Sequence, residues 1–86
     1  MHTVDLVELA LAAATRLGYK IRHDSLGEVA AGPCLLMGQK WIFFDLSDSP
    51  ADQLAVLTEV LRNDPGATSL DIPPNLAKHL DLRRSA

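Results

Sequence analysis

The sequence predicts an α+β domain: a small antiparallel β-sheet packed by two longer helices and a short C-terminal one. Three observations carry this. Segments 4–17 and 50–63 repeat apolar residues at three- and four-residue spacings, the period of a half-buried helix. Between them, 33–45 holds two apolar runs around a Gly-X pair, the pattern of a β-hairpin. Residues 19–23 alternate apolar and polar, as a strand with one buried face does. The 86 residues amount to a single domain spanning 1–86, with 83–86 expected as a flexible tail.

The first helix is expected to take Thr3 as its cap and Asp5 in its first turn. Val4, Val7, Leu11 and Ala14 form its apolar stripe, and Leu6, Leu9, Ala10 and Ala13 widen it well beyond a narrow seam. Gly18 sits where a helix-ending glycine belongs. Tyr19 to His23 reads as an edge strand, and Asp24 to Gly27 as a turn followed by a loose loop at Ala30-Ala31-Gly32. In the hairpin, Gly38 is expected to supply the positive φ of a type II′ turn. Its second strand puts Trp41 and Phe43 on one face and Ile42 and Phe44 on the other. Both faces are apolar, so both call for a cover. Ser49 as cap, Pro50 at the first helical position and Asp52 three after the cap start the second long helix. Leu54, Leu57 and Leu61 face inward with Val56 and Val60 beside them, and Asp64-Pro65-Gly66 stops the helix. Pro73-Pro74 begins the last helix, 74–82, with Leu76, Leu80 and Ala77 inward.

Composition bounds the function. Hydrophobic residues make up 48% of the chain. A domain this short buries only roughly 60–65% of its unfolded surface, so apolar surface is left over for a partner. The partner expected is a second copy, giving a homodimer, or another protein. With 8 basic and 11 acidic residues the net charge is -3, which offers nothing to a phosphate backbone. Arg83-Arg84 reads as a solvated end. No nucleic-acid or membrane partner is expected, because the longest charge-free apolar run, Leu9 to Ala14, is too short to span a bilayer. The N-terminal run carries Asp5 and Glu8 where a signal peptide needs positive charge, and Cys34 is the single cysteine. The cytoplasm is the expected compartment.

No residue set assembles a recognisable catalytic motif. His2, His23 and His79 lack ligand spacing, so no metal site is expected. Cys34 reads as a core residue of an apolar strand, without a base to activate it. Ser25, Ser47 and Ser49 belong to turns and caps rather than to a nucleophile elbow, and the glycines match no phosphate-binding pattern. Asp45 and Asp48 are weighed as an acid/base pair against a structural role in the turn before the second helix, and the structural role is favoured. Trp41, Phe43 and Phe44 on one strand are weighed as a base-stacking platform against packing, and packing is favoured because few cations accompany them. The chain is therefore expected to be non-enzymatic and to need no cofactor.

Leu17-Gly18, the Gly27 to Gly32 loop, Cys34, Phe44-Asp45-Leu46, Ser49-Pro50-Ala51-Asp52-Gln53-Leu54 and Ile72-Pro73-Pro74 together resemble the recurring features of a group of small uncharacterised bacterial proteins. Over the middle of the chain, helix, strands, hairpin and helix resemble a minimal zincin-like metallopeptidase core, whose last helix carries H-E-x-x-H. Glu59 matches the glutamate of that motif. Thr58 and Arg62 occupy the histidine positions and neither serves as a zinc ligand, so the resemblance implies a degenerate, metal-free domain that binds a peptide or small ligand in a groove formed by Thr58, Glu59 and Arg62. For self-association the residues singled out are Trp41, Phe43, Leu9 and Ala13.

Overall fold

In a computed structural model that describes residues 2–27 and 31–80, the chain forms α1 (Thr3–Arg16), β1 (Lys20–Asp24), β2 (Gly32–Leu36), β3 (Gln39–Asp45), α2 (Pro50–Asn63), a 3-10 turn (Pro65–Ser69) and α3 (Pro74–Leu80). This is a small α+β fold. The expected loop residue Ala30, the end of the last helix at 81–82 and the tail at 83–86 lie outside the described residues.

One expectation about the sheet is corrected. The three strands lie in the order β1-β3-β2, and the sheet is mixed. β2 and β3 pair antiparallel as a hairpin, with Leu36 opposite Gln39 and Cys34 opposite Trp41. β1 pairs parallel to β3, Lys20 opposite Trp41 and Arg22 opposite Phe43. β3 carries the chain's densest apolar run, so the central position, hydrogen-bonded along both edges, falls to it. β2 lies on the far side of β3, and the parallel pairing of β1 makes the sheet mixed rather than antiparallel.

The hairpin turn is also shifted by one residue. Met37 and Gly38 are its two central residues, with φ of 51° and 78°. Two positive values make this the type I′ geometry rather than II′. Glycine adopts that conformation freely. Methionine does not, at a cost of about 1–2 kcal/mol.

Helix ends follow local chemistry. The α1 cap position is His2, with no side-chain bond, so Thr3 is the first helical residue and not the cap. At the other end Gly18 is left-handed at φ 96°. The Tyr19 amide donates to the Ala14 carbonyl and the Gly18 amide to that of Thr15, a Schellman closure. α2 opens with a reciprocal capping box: the Asp52 amide donates to Ser49 Oγ at 3.1 Å and the Ser49 amide to Asp52 Oδ2 at 3.0 Å.

The core unites Val7, Ala10, Ala13 and Ala14 of α1 with Ile42 and Phe44 of β3, Leu54, Leu57, Val60 and Leu61 of α2, and Leu76 and Leu80 of α3. Small α1 residues let α1 and α2 approach side by side. Both helices therefore cover the same face of the sheet. The Trp41–Phe43 face has no helix of the described residues packed on it; both residues are half-buried by their sheet neighbours, and neither belongs to the core cluster.

Candidate functional site

The helix-free face is built by strand parity. Residues two apart point the same way, and the register aligns them across strands. One row runs Lys20, Trp41, Cys34, and the next runs Arg22, Phe43, Gly32. Gln39 and Leu36 lie toward the hairpin end, Asp24 and Asp45 toward the other. Trp41 and Phe43 stack with ring centroids 5.8 Å apart and planes inclined 16°. Lys20 Nζ lies 5.6 Å from the Trp41 ring centroid. Arg22 and Asp24 form an ion pair at 3.4 Å, both more than half exposed, so it adds little. The result is an apolar strip of Leu36, Cys34, Trp41 and Phe43 with charges along one side; Cys34, expected in the core, is exposed because β2 is an edge strand.

The two sheet edges are unlike. β1 carries Lys20, Arg22, His23 and Asp24, and such charges discourage another strand from pairing. β2 reads Gly-Pro-Cys-Leu-Leu. In a two-residue hairpin the closing pair is hydrogen-bonded, so Leu36, Cys34 and Gly32 turn their amides toward β3, and Leu35 and Pro33 turn theirs outward. Pro33 has no N–H to offer there, which blunts this edge too. Face, rather than edge, is the surface open to association.

On the covered side, a groove separates β2 from α2. It consists of three depressions of about 290, 220 and 330 Å³; Pro33 lines all three, Tyr19 the first two and Glu59 the last two. At its junction Tyr19 Oη donates to Asp64 Oδ2 at 2.9 Å, and Lys40 Nζ reaches the same oxygen at 3.4 Å. Lys40 Nζ also lies 4.4 Å from the Tyr19 ring centroid. Asp64 Oδ1 accepts the Gly66 amide at 2.8 Å. Burial pushes the Asp64 carboxyl up, but the Gly66 amide, the Tyr19 hydroxyl and the Lys40 charge outweigh it, so its pKa lies below the ordinary value. Burial, and then the bond to and charge of Asp64, hold the Tyr19 phenol above its ordinary value.

The groove does not gather the three residues expected of it. Glu59 lines it, and Glu59 Oε1 accepts from Asn63 Nδ2 at 3.2 Å. Arg62 is exposed and is not among the lining residues, nor is Thr58, whose hydroxyl is buried without a partner. Of the residues singled out for association, Trp41 and Phe43 stand together on the open face. Ala13 is 5% exposed within the core, and Leu9 packs against the core's side.

Asp45 and Asp48 have structural partners. Asp45 Oδ1 accepts the Leu26 amide at 2.9 Å and Oδ2 the Ser47 amide at 2.9 Å together with the Ser47 hydroxyl. Asp48 Oδ2 accepts the Asp45 amide at 2.9 Å. The Ser47 hydroxyl, then the Leu26 and Ser47 amides, keep the Asp45 carboxyl below the usual carboxylate range. These bonds tie the loop after β1 to the turn before α2. His23 stacks on Phe44 at 5.2 Å. Among the described residues no cluster of His, Cys, Asp and Glu could hold a metal ion, and no helix is long and apolar enough to cross a membrane.

Sequence reasoning missed two features. Tyr19, Lys40 and Asp64 are far apart in the chain and meet only through the fold. Lys20 and Arg22 align beside Trp41 and Phe43 only because β1 joins in parallel. Their alternation along β1 was a signal, but their register was not.

Fold and site define a class: a two-layer α+β domain, helices on one sheet face, an aromatic strip on the other. Within that class no relative can be pointed to, since no family model, curated protein or solved structure matches the chain.

Proposed function

We propose that this protein is a non-enzymatic interaction module that associates with a second copy of itself through the open sheet face. The observation that carries the reading is the stacked Trp41–Phe43 pair on a face that no described helix covers. Two open faces brought together bury the apolar strips of both and complete a sheet-on-sheet core of the kind found in sandwiches. The strip is small, and an interface below about 1,200 Å² gives weak, concentration-dependent association. Sedimentation velocity across a concentration series tests this. Wild type is expected to pass from monomer to dimer, and Phe43→Glu to remain monomeric with an unchanged circular dichroism spectrum. A wild-type chain that stays monomeric throughout contradicts the reading. Quenching of Trp41 by an oligonucleotide would assign the face to base stacking instead.

A second reading rests on Glu59 in the β2–α2 groove. Leu35 and the Pro33 carbonyl present backbone groups along that edge, and Glu59 offers a carboxylate to a basic side chain. This fits a metal-free, zincin-like peptide binder. Backbone amide shifts during titration with a short basic peptide test it. Changes at Glu59 and Leu35 support it, and none at saturating peptide contradicts it.

A further inference from the structure

The tip of the β2–β3 hairpin has a use that neither reading above requires. Leu35, Leu36 and Met37 are 72%, 50% and 98% exposed, three consecutive apolar side chains at one corner of the molecule. No charge occurs from Gly32 to Gln39. Met37 is also held in the left-handed conformation that methionine disfavours. An apolar residue fully in water and in a strained turn stabilises nothing in the isolated chain.

Behind the tip stand two cation–aromatic pairs. Leu35 is opposite Lys40, whose ammonium lies 4.4 Å from the Tyr19 ring on the covered side. Cys34 is opposite Trp41, which Lys20 approaches to 5.6 Å on the open side. Arg16 ends α1 at this same pole, which the bond from Gln39 Nε2 to the Gly18 carbonyl holds against the hairpin. The acids here are Asp64, paired with Lys40, Asp71, whose carbonyl accepts from Arg16, and Glu59, set back in the β2–α2 groove, where it accepts from Asn63. Asp24, Asp45, Asp48 and Asp52 lie at the opposite ends of the strands and in the turn and helix start that follow. Along the strands the order is apolar tip, aromatic rings with cations, then carboxylates.

We infer that this hairpin tip is an anchor for the surface of an anionic lipid bilayer. Leu35, Leu36 and Met37 enter the boundary of the acyl region. Trp41 and Tyr19 lie at headgroup level, where amphipathic rings settle. Lys20 and Lys40 extend their alkyl stems and donate to lipid phosphates. Lys40 carries three N–H donors, so it serves a phosphate while keeping Asp64. Shape selects this occupant. A convex two-residue turn presents a patch of a few hundred Å². A stable, specific protein complex typically buries about 800 Å² of matching surface per side. A fluid interface conforms to a wedge without a preformed pocket, which a protein partner would have to supply.

Co-sedimentation with vesicles, read together with the emission of Trp41, the single tryptophan, tests the inference. Vesicles of equal parts phosphatidylcholine and phosphatidylglycerol are compared with vesicles of phosphatidylcholine alone. The wild-type chain is expected to bind the mixed vesicles, with a blue shift of Trp41, and to bind the neutral ones far more weakly. A Leu35→Ser, Met37→Asn double variant is expected to lose at least about tenfold in partitioning. Its fold is safeguarded because asparagine suits the left-handed turn position, and an unchanged circular dichroism spectrum verifies that. Lys20→Glu is expected to weaken binding at low salt and to matter less at high salt. Absence of wild-type binding to the anionic vesicles at low ionic strength overturns the inference. So does a double variant that binds as wild type does, or one whose only defect is lost self-association. Phe43→Glu separates the two proposals, since it removes dimerisation through the face while leaving the tip intact.

Discussion

Four consecutive residues of β3 meet two fates. Ile42 and Phe44 are fully buried against α1 and α2, while Trp41 and Phe43, equally apolar, stack on each other on a face with no helix above them. The difference lies in what the rest of the chain supplies. Both long helices fall on one side because the small residues of α1, Ala10, Ala13 and Ala14, seat it directly against α2. Two helices packed together cover one face of a three-stranded sheet, and the described residues supply no third layer. Polarity is distributed the opposite way. The covered side admits Lys40 only beside Asp64 and Tyr19, whereas the open side leaves Lys20 in solvent over Trp41. Burial forces polar groups to find partners, and exposure does not.

Truncating the two phenylalanines gives the widest contrast. Phe44→Ala is expected to cost about 3–5 kcal/mol by emptying the core, and Phe43→Ala, at a half-buried position, about 1–2 kcal/mol in the monomer. Urea unfolding at low protein concentration measures both. Equal costs would mean that the faces are equally covered.

Asp64→Ala removes the acceptor for Tyr19, Lys40 and the Gly66 amide, and is expected to cost about 2 kcal/mol. The pH profile of the wild type sharpens this. The folded Asp64 carboxyl titrates below the unfolded one, so its contribution is complete above the ordinary carboxylate value and is lost as pH falls through the folded value. The Tyr19 phenol runs the other way. Its contribution is complete below the unfolded value of 10.0 and is lost as pH rises through the folded one. Denaturation midpoints across pH are expected to flatten at the acid limb in Asp64→Asn and at the alkaline limb in Tyr19→Phe.

Two substitutions are expected to stabilise. Thr58→Val replaces a buried hydroxyl that has no partner, for a gain of about 1 kcal/mol. Met37→Asn relieves the left-handed turn and removes an exposed apolar side chain, for about 0.5–1 kcal/mol. Thermal melts rank them. A destabilised Thr58→Val would mean that the covered side is better satisfied than its geometry indicates.

Much of this architecture was legible beforehand. Helix α2 runs over the predicted 50–63, because Ser49, Pro50 and Asp52 encode its start within four residues. Gly18 closes α1 as its position implied. The parity of β3 was legible too, since side chains alternate on any strand. Which face would be covered was not, because that depends on where α1 and α2 settle relative to each other. The parallel arrival of β1 was hidden for a related reason: pairing between strands separated by a third leaves no local mark. The Tyr19–Lys40–Asp64 cluster spans 45 residues and required the fold to exist before it could be seen. At the hairpin, alternation and a glycine located the turn, but one residue of register changed its type and moved Met37 to its centre.

Trp41 reports directly on the association surface proposed for it and Phe43, because it is the single tryptophan. Its emission maximum, followed while the protein is diluted through the range in which sedimentation detects dimer, is expected to shift to the red as the partner face leaves and water reaches the ring. An emission maximum that stays constant while the dimer dissociates would place the interface elsewhere and contradict the account.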